Sequence, residues 1–131
     1  MKVSDYIINF FARKNITTAF CVTGGGCMHL TDSLRKSKIE TFFCHHEQSC
    51  LMAAEGYTRL SNKLCLNVVT TGPGGANTLT GLMGMWLDSI PGIVISGQVN
   101  STQLSEFTGC RQIGDQEFDI ISVVKNMTKY A

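Results

Sequence analysis

The chain has 131 residues, 44% hydrophobic and 16% charged, which suits one globular domain with its own core and excludes a disordered chain. The formal net charge is +1 with no long run of one sign, which argues against nucleic acid or an anionic membrane surface as partner. No stretch reaches the roughly 18 uninterrupted apolar residues of a spanning helix, and Asp5, Asn9 and Arg13 interrupt the apolar run that a signal peptide needs.

Taken in chain order, Asp5 to Lys14 has the helical spacing of Tyr6, Ile7, Phe10 and Phe11, with Ser4 placed to cap it. Thr18 to Val22 is a short apolar strand, stopped by Gly24-Gly25-Gly26. Met28 to Arg35 is a second helix and Thr41 to Cys44 the next strand. Glu47 to Leu60 is a strong helix, with Cys50, Ala53, Ala54 and Tyr57 on one face and a Glu55–Arg59 pair on the other. Leu64 to Thr70 is β-rich, and Thr71-Gly72-Pro73-Gly74-Gly75 turns the chain into a helix over Asn77 to Leu87. Pro91 to Ser96 is a buried strand, Asn100 to Gly114 a polar loop, Glu117 to Val124 a short helix, and Met127 to Ala131 the start of something extended.

Strands alternating with helices imply an α/β fold: a parallel sheet covered on both faces, in three layers. Continuous apolar strands suit such a sheet. Because a strand begins where the sequence stops, the domain is expected to be truncated at its C-terminal end. Ligands in these folds lie outside the carboxyl ends of the strands. That singles out residues 23–26, 45–48 and 70–77.

The 70–77 turn has the build of a phosphate cradle but lacks a P-loop lysine and does not fit G-x-G-x-x-G, so a plain βα turn explains it equally well. Glu47 in a first helical turn complements the helix dipole. At a strand's carboxyl end in an apolar setting, it is also suited to share a proton with a nitrogen base. His45 and His46 point in different directions, so structural or site-edge roles fit better than joint ligation, and His29 reads as a helix-surface residue. The six cysteines, Cys21, Cys27, Cys44, Cys50, Cys65 and Cys110, include no C-x-x-C pair, and most read as small buried hydrophobes in a reducing cytoplasm. No metal site is expected. Met83, Met85 and Trp86 suit helix packing or a subunit contact.

The run from His45 to Arg59, HHEQSCLMAAEGYTR, resembles the signature of acetolactate synthase and its relatives, in which a glutamate–glutamine pair opens a helix ending in Gly-Tyr-x-Arg. Thr70 to Asn77 resembles that family's glycine–proline–glycine turn. Asp88-Ser89-Ile90-Pro91, Ser96-Gly97-Gln98-Val99, Gln116-Glu117 and Thr128-Lys129-Tyr130 match further landmarks in order. The resemblance covers nearly the whole chain. It implies a thiamine-diphosphate-binding domain of flavodoxin-like topology, with residues 1–131 as an incomplete N-terminal pyrimidine-binding domain.

By the resemblance, Glu47 hydrogen-bonds ring nitrogen N1′ of the pyrimidine and activates the cofactor to attack a 2-keto acid. Thr23, Gly24, Gly25, Thr70, Pro73 and Asn77 would border the cofactor, with Gln98 and Gln116 on the substrate side. Thr70 stands where simple keto-acid decarboxylases of the superfamily often carry a histidine, which leans away from plain decarboxylation. Departures at Thr23-Gly24-Gly25-Gly26 and at Arg111 to Glu117 put acetolactate itself in doubt as product. The family's Gly-Asp-Gly motif for diphosphate and Mg2+ is absent, so those groups fall to a separate C-terminal domain. FAD is compatible but not indicated. A homodimer or homotetramer of a cytoplasmic enzyme is implied, with this chain inactive alone. The alternative readings are a non-catalytic dimerising module of the same fold and, more distantly, a small nucleotide binder using the Gly72 turn.

Overall fold

The computed structural model describes residues 1–106 and 108–131; Phe107, within the expected 100–114 loop, lies outside them. The strands are β1 (Thr18–Cys21), β2 (Glu40–Phe43), β3 (Leu66–Val69) and β4 (Ile93–Ser96), all parallel in the order β2-β1-β3-β4. This matches the first four positions of the flavodoxin-like 2-1-3-4-5 order.

Period-two alternation divides the core between two faces. Ala19, Cys21, Leu66 and Val68 pack with Ile93 and Ile95 against helices α1 (Val3–Arg13) and α2 (Met28–Lys36). On the other face, Phe20, Val22 and Val94 meet α3 (Glu47–Ser61) and α5 (Leu79–Leu87) through Cys50, Leu51 and Met85. Each face therefore buries a helix pair, as a doubly covered parallel sheet requires. The two helices on the second face approach closely, because a Cβ on Gly81 would lie 2.3 Å from Leu51 Cβ.

Several element ends differ from expectation. Helix α1 begins at Val3, and Ser4 is buried against Ser33, whose hydroxyl is 3.0 Å from Ser4 Oγ, so it caps nothing. The expected helix from Asn77 starts two residues later, at Leu79, and an additional short helix precedes it. Pro73 opens a four-residue helix α4 (Pro73–Ala76), and Thr78 Oγ1 donates to Gly75 O at 2.6 Å, competing with helical bonding before α5 starts. Helix α6 (Ile120–Val124) starts three residues later than expected, at the point where Asp119 Oδ1 accepts from Ser122 N. Among the described residues, Met127 to Ala131 pairs with no strand and the sheet has four strands, where the five apolar runs suggested a fifth.

Candidate functional site

Neighbouring strands β1 and β3 send their crossovers to opposite faces, through α2 in one case and α4–α5 in the other. A crevice opens at the carboxyl ends of such a pair. Two glycine-rich turns meet there. Gly26 N donates to Thr70 Oγ1 at 3.0 Å, and a Cβ on Gly24 would stand 2.5 Å from Thr70 Cβ. Gly24 has an extended backbone, so close approach and not dihedral preference excludes a side chain there. Gly72 is different: its φ of +60° lies in the left-handed region, and a Cβ would also fall 2.3 Å from Gln116 O.

Glu47 enters this crevice as the first residue of α3. The preceding His46 caps the helix, its Nδ1 accepting from Gln48 N at 3.1 Å. The Glu47 side chain is buried, with the residue 8% exposed. Its Oε2 accepts from Asn77 Nδ2 at 3.0 Å, and a Cβ on Gly74 would lie 3.3 Å from its Oε1. Oε1 has no hydrogen-bond partner among the described residues. The result is a carboxylate with one oxygen held and the other free beside bare backbone, an arrangement able to share a proton with an incoming nitrogen base.

Residues 1–123 match the family model described as thiamine pyrophosphate enzyme, N-terminal TPP binding domain. The chain belongs to this family. It is 34% identical over 131 residues to the acetolactate synthase isozyme 2 large subunit of Escherichia coli (strain K12), covering all of this chain and 23% of that protein. It is 35% identical over 133 residues to the chloroplastic acetolactate synthase of Arabidopsis thaliana, covering 98% of this chain and 18% of the relative. The large subunit from Buchnera aphidicola subsp. Schizaphis graminum (strain Sg) is 34% identical over 114 residues, 85% of this chain and 20% of its own. This TPP-binding domain thus spans between 18% and 23% of the length of these relatives.

The residues of this TPP-binding domain fit an aminopyrimidine. Glu47 keeps one carboxylate oxygen without a hydrogen-bond partner among the described residues. Gly25 has open space where a Cβ would stand, and Gly74 leaves room beside the carboxylate. The structure brings Gly24, Thr70, Pro73, Asn77 and Glu47 together around the two turns. Thr23, Gly24 and Gly25 also border an open groove of about 810 Å³ between α2 and β2, beside Met28, Arg35 and Phe43; Glu47 does not line it.

Gln98 has both amide ends committed. Its Oε1 accepts from Thr71 Oγ1 (3.0 Å) and Val99 N (2.9 Å), and its Nε2 donates to Phe118 O (3.0 Å). Gln116 has φ +59° and sets its carbonyl against Gly72. Sequence reasoning passed over Thr71 and the close approach of Gly97, whose Cβ would meet Gly26 O at 2.3 Å. The paired threonines before Gly72 and the glycine ending β4 were the available signals.

Among the cysteines, Cys21, Cys27, Cys50 and Cys65 are buried, Cys44 is half-buried and Cys110, in the polar loop, is exposed. Burial pushes the Cys21 thiol up to about 12. Of the Met83, Met85 and Trp86 group, Met85 is core, while Met83 and Trp86 are exposed with Leu87. Arg59 pairs with Glu55 at 2.7 Å as expected, and also with Asp88 at the end of α5.

Proposed function

We propose that this domain is the pyrimidine-binding part of a thiamine-diphosphate-dependent 2-keto-acid decarboxylase or carboligase resembling acetolactate synthase. The observation that carries the reading is the buried Glu47 carboxylate at the switch point, one oxygen held and the other free. When bound, the cofactor supplies the nucleophilic carbon that adds to the keto acid and accepts the electrons of decarboxylation. Glu47 Oε1 would share a proton with ring nitrogen N1′. The backbone of Gly24, Gly25 and Gly74 would give the ring a close border free of side chains, with Thr23, Thr70 and Pro73 at its rim and Asn77 on the carboxylate. Gln98 and Gln116 shape the substrate side through the loop they hold.

The diphosphate and its Mg2+ fall to a C-terminal domain of the same cytoplasmic enzyme, which assembles as a homodimer or homotetramer. The 131-residue chain alone is inactive, as cofactor held by one ring is not held in reacting geometry. The departures at Thr23 to Gly26 and Arg111 to Glu117 fit a relative acting on another 2-keto acid as well as one that makes acetolactate. Glu47→Gln in the complete enzyme is expected to lower kcat/KM by roughly 10²–10⁴-fold, the range of general acid–base catalysis. Near-normal turnover would refute the assignment.

Met52, Met83, Trp86 and Leu87, exposed on α3 and α5, favour a second reading as a non-catalytic association module. Sedimentation and calorimetry separate the two, since that reading requires self-association without thiamine diphosphate binding.

A further inference from the structure

We infer that Asn77 is the positioning residue of the carboxylate: it pins Oε2 of Glu47 and leaves Oε1 as the oxygen that exchanges a proton with the cofactor ring. The inference rests on the proposed function and assigns Asn77 a role through Glu47, not through contact with the ring.

The two residues are 30 positions apart and meet only through the fold, at 3.0 Å. Asn77 is mounted on a short, stiff turn. Gly72 at φ +60° starts it, Pro73 occupies its first helical position, and Asn77 closes it, its N–H donating to Pro73 O at 2.9 Å. Gly74 and Gly75 are buried within the turn and present no side chain to the carboxylate or to Ser96 Oγ.

The Asn77 side chain makes no other hydrogen bond among the described residues. Thr78, one residue on, shows the contrasting use: its hydroxyl is tied back to Gly75 O and serves the backbone alone. An amide nitrogen only donates, so its bond to Oε2 stabilises that oxygen unprotonated. A proton on Oε2 would set donor against donor. The transferable proton is therefore directed to Oε1, which lies against the bare backbone of Gly74.

The test uses the full-length enzyme and measures, without substrate, the exchange of the cofactor's C2 proton for deuterium by acid quench and NMR. Thiamine diphosphate affinity is measured by calorimetry and folding by circular dichroism. Asn77→Ala is expected to slow exchange and kcat together by about 10–100-fold, as displacement of a positioned group by about 1 Å does, with KM for the keto acid changed by less than about threefold. Asn77→Asp keeps the shape of the side chain but replaces the donor by a second carboxyl sharing Glu47's proton, and is expected to slow exchange at least as much near neutral pH.

A folded variant of either kind with wild-type exchange overturns the inference. So does loss of affinity with an unchanged exchange rate per bound cofactor, which would make Asn77 a ring contact, and so does loss of fold in both variants, which would make it structural. Glu47→Gln is run alongside. If that variant also exchanges at the wild-type rate, the functional reading fails; if it is slow while the Asn77 variants are not, this inference alone fails.

Discussion

Gly74 offers a sharp test of the geometry around the carboxylate. A methyl group added there would stand 2.6 Å from Thr70 Cγ2, 3.5 Å from Thr70 Cβ and 3.3 Å from Glu47 Oε1. Ordinary carbon contacts lie near 3.5–4.0 Å, so the Thr70 methyl must move by about 1 Å. Overpacking of this kind costs roughly 1–3 kcal/mol. Replacing a helical glycine by alanine returns up to about 1 kcal/mol, leaving Gly74→Ala destabilised by about 0–2 kcal/mol. Thr70→Ser removes the clashing methyl but keeps the Oγ1 that accepts from Gly26 N, at a cost of about 1 kcal/mol. In the double variant the remaining contacts, at 3.3 Å and 3.5 Å, are tolerable. The two substitutions should therefore couple favourably by about 1–3 kcal/mol. Urea unfolding followed by far-UV circular dichroism, with Trp86 fluorescence as a second probe, measures the cycle. Additivity within about 0.5 kcal/mol would show that the contact is absent and the packing argument wrong.

Gly97→Ala meets backbone instead of side chain, at 2.3 Å from Gly26 O. It should reach the upper end of overpacking costs, about 3 kcal/mol, in the same unfolding assay, and Thr70→Ser should not relieve it. Glu117 accepts from Ser105 N (2.6 Å), Ser105 Oγ (2.8 Å) and Ile113 N (3.0 Å). The Ser105 N–H above all, then that of Ile113, holds its carboxyl below the ordinary value of 4.5. Because the folded value is depressed, this contribution is fully present above pH 4.5 and fades as pH falls through the lower folded value. Hydrogen exchange at the Ser105 and Ile113 amides should show protection that is flat near neutrality, weakens in acid and is lost in Glu117→Gln; acid-insensitive protection would contradict it. In thiol labelling of the native chain, exposed Cys110 should react first, with Cys21, Cys50 and Cys65 silent until denaturant is added, their thiols all raised by burial. Loss of the fast phase in Cys110→Ser checks the assignment.

Much of the architecture was legible along the chain. The apolar runs at β1, β3 and β4 and the helical spacing of α3 report burial, a local property of each segment, whereas the run at β2 lies on the sheet edge with Phe42 and Phe43 exposed. The glycine turns marked the strand ends where ligands sit. The ends of elements were less legible. Ser4 reads as a cap but is recruited by Ser33 from another helix, and Met127 to Ala131 reads as extended but has no strand beside it. A strand exists only with a partner, and a cap only where its hydroxyl is not taken elsewhere.

The sequence by itself determined that Glu47 opens a helix behind a strand, among landmarks in the family's order. Tertiary structure alone decided what Glu47 can do. It carries Asn77 across 30 residues to one carboxylate oxygen. It closes Thr70 onto Gly26, and it commits one end of the Gln98 amide to Thr71 and the other to Phe118. Periodicity encodes which side of an element is buried, whereas hydrogen bonds and backbone approaches of about 3 Å depend on how separate elements are stacked. That stacking leaves one oxygen of Glu47 held and the other free.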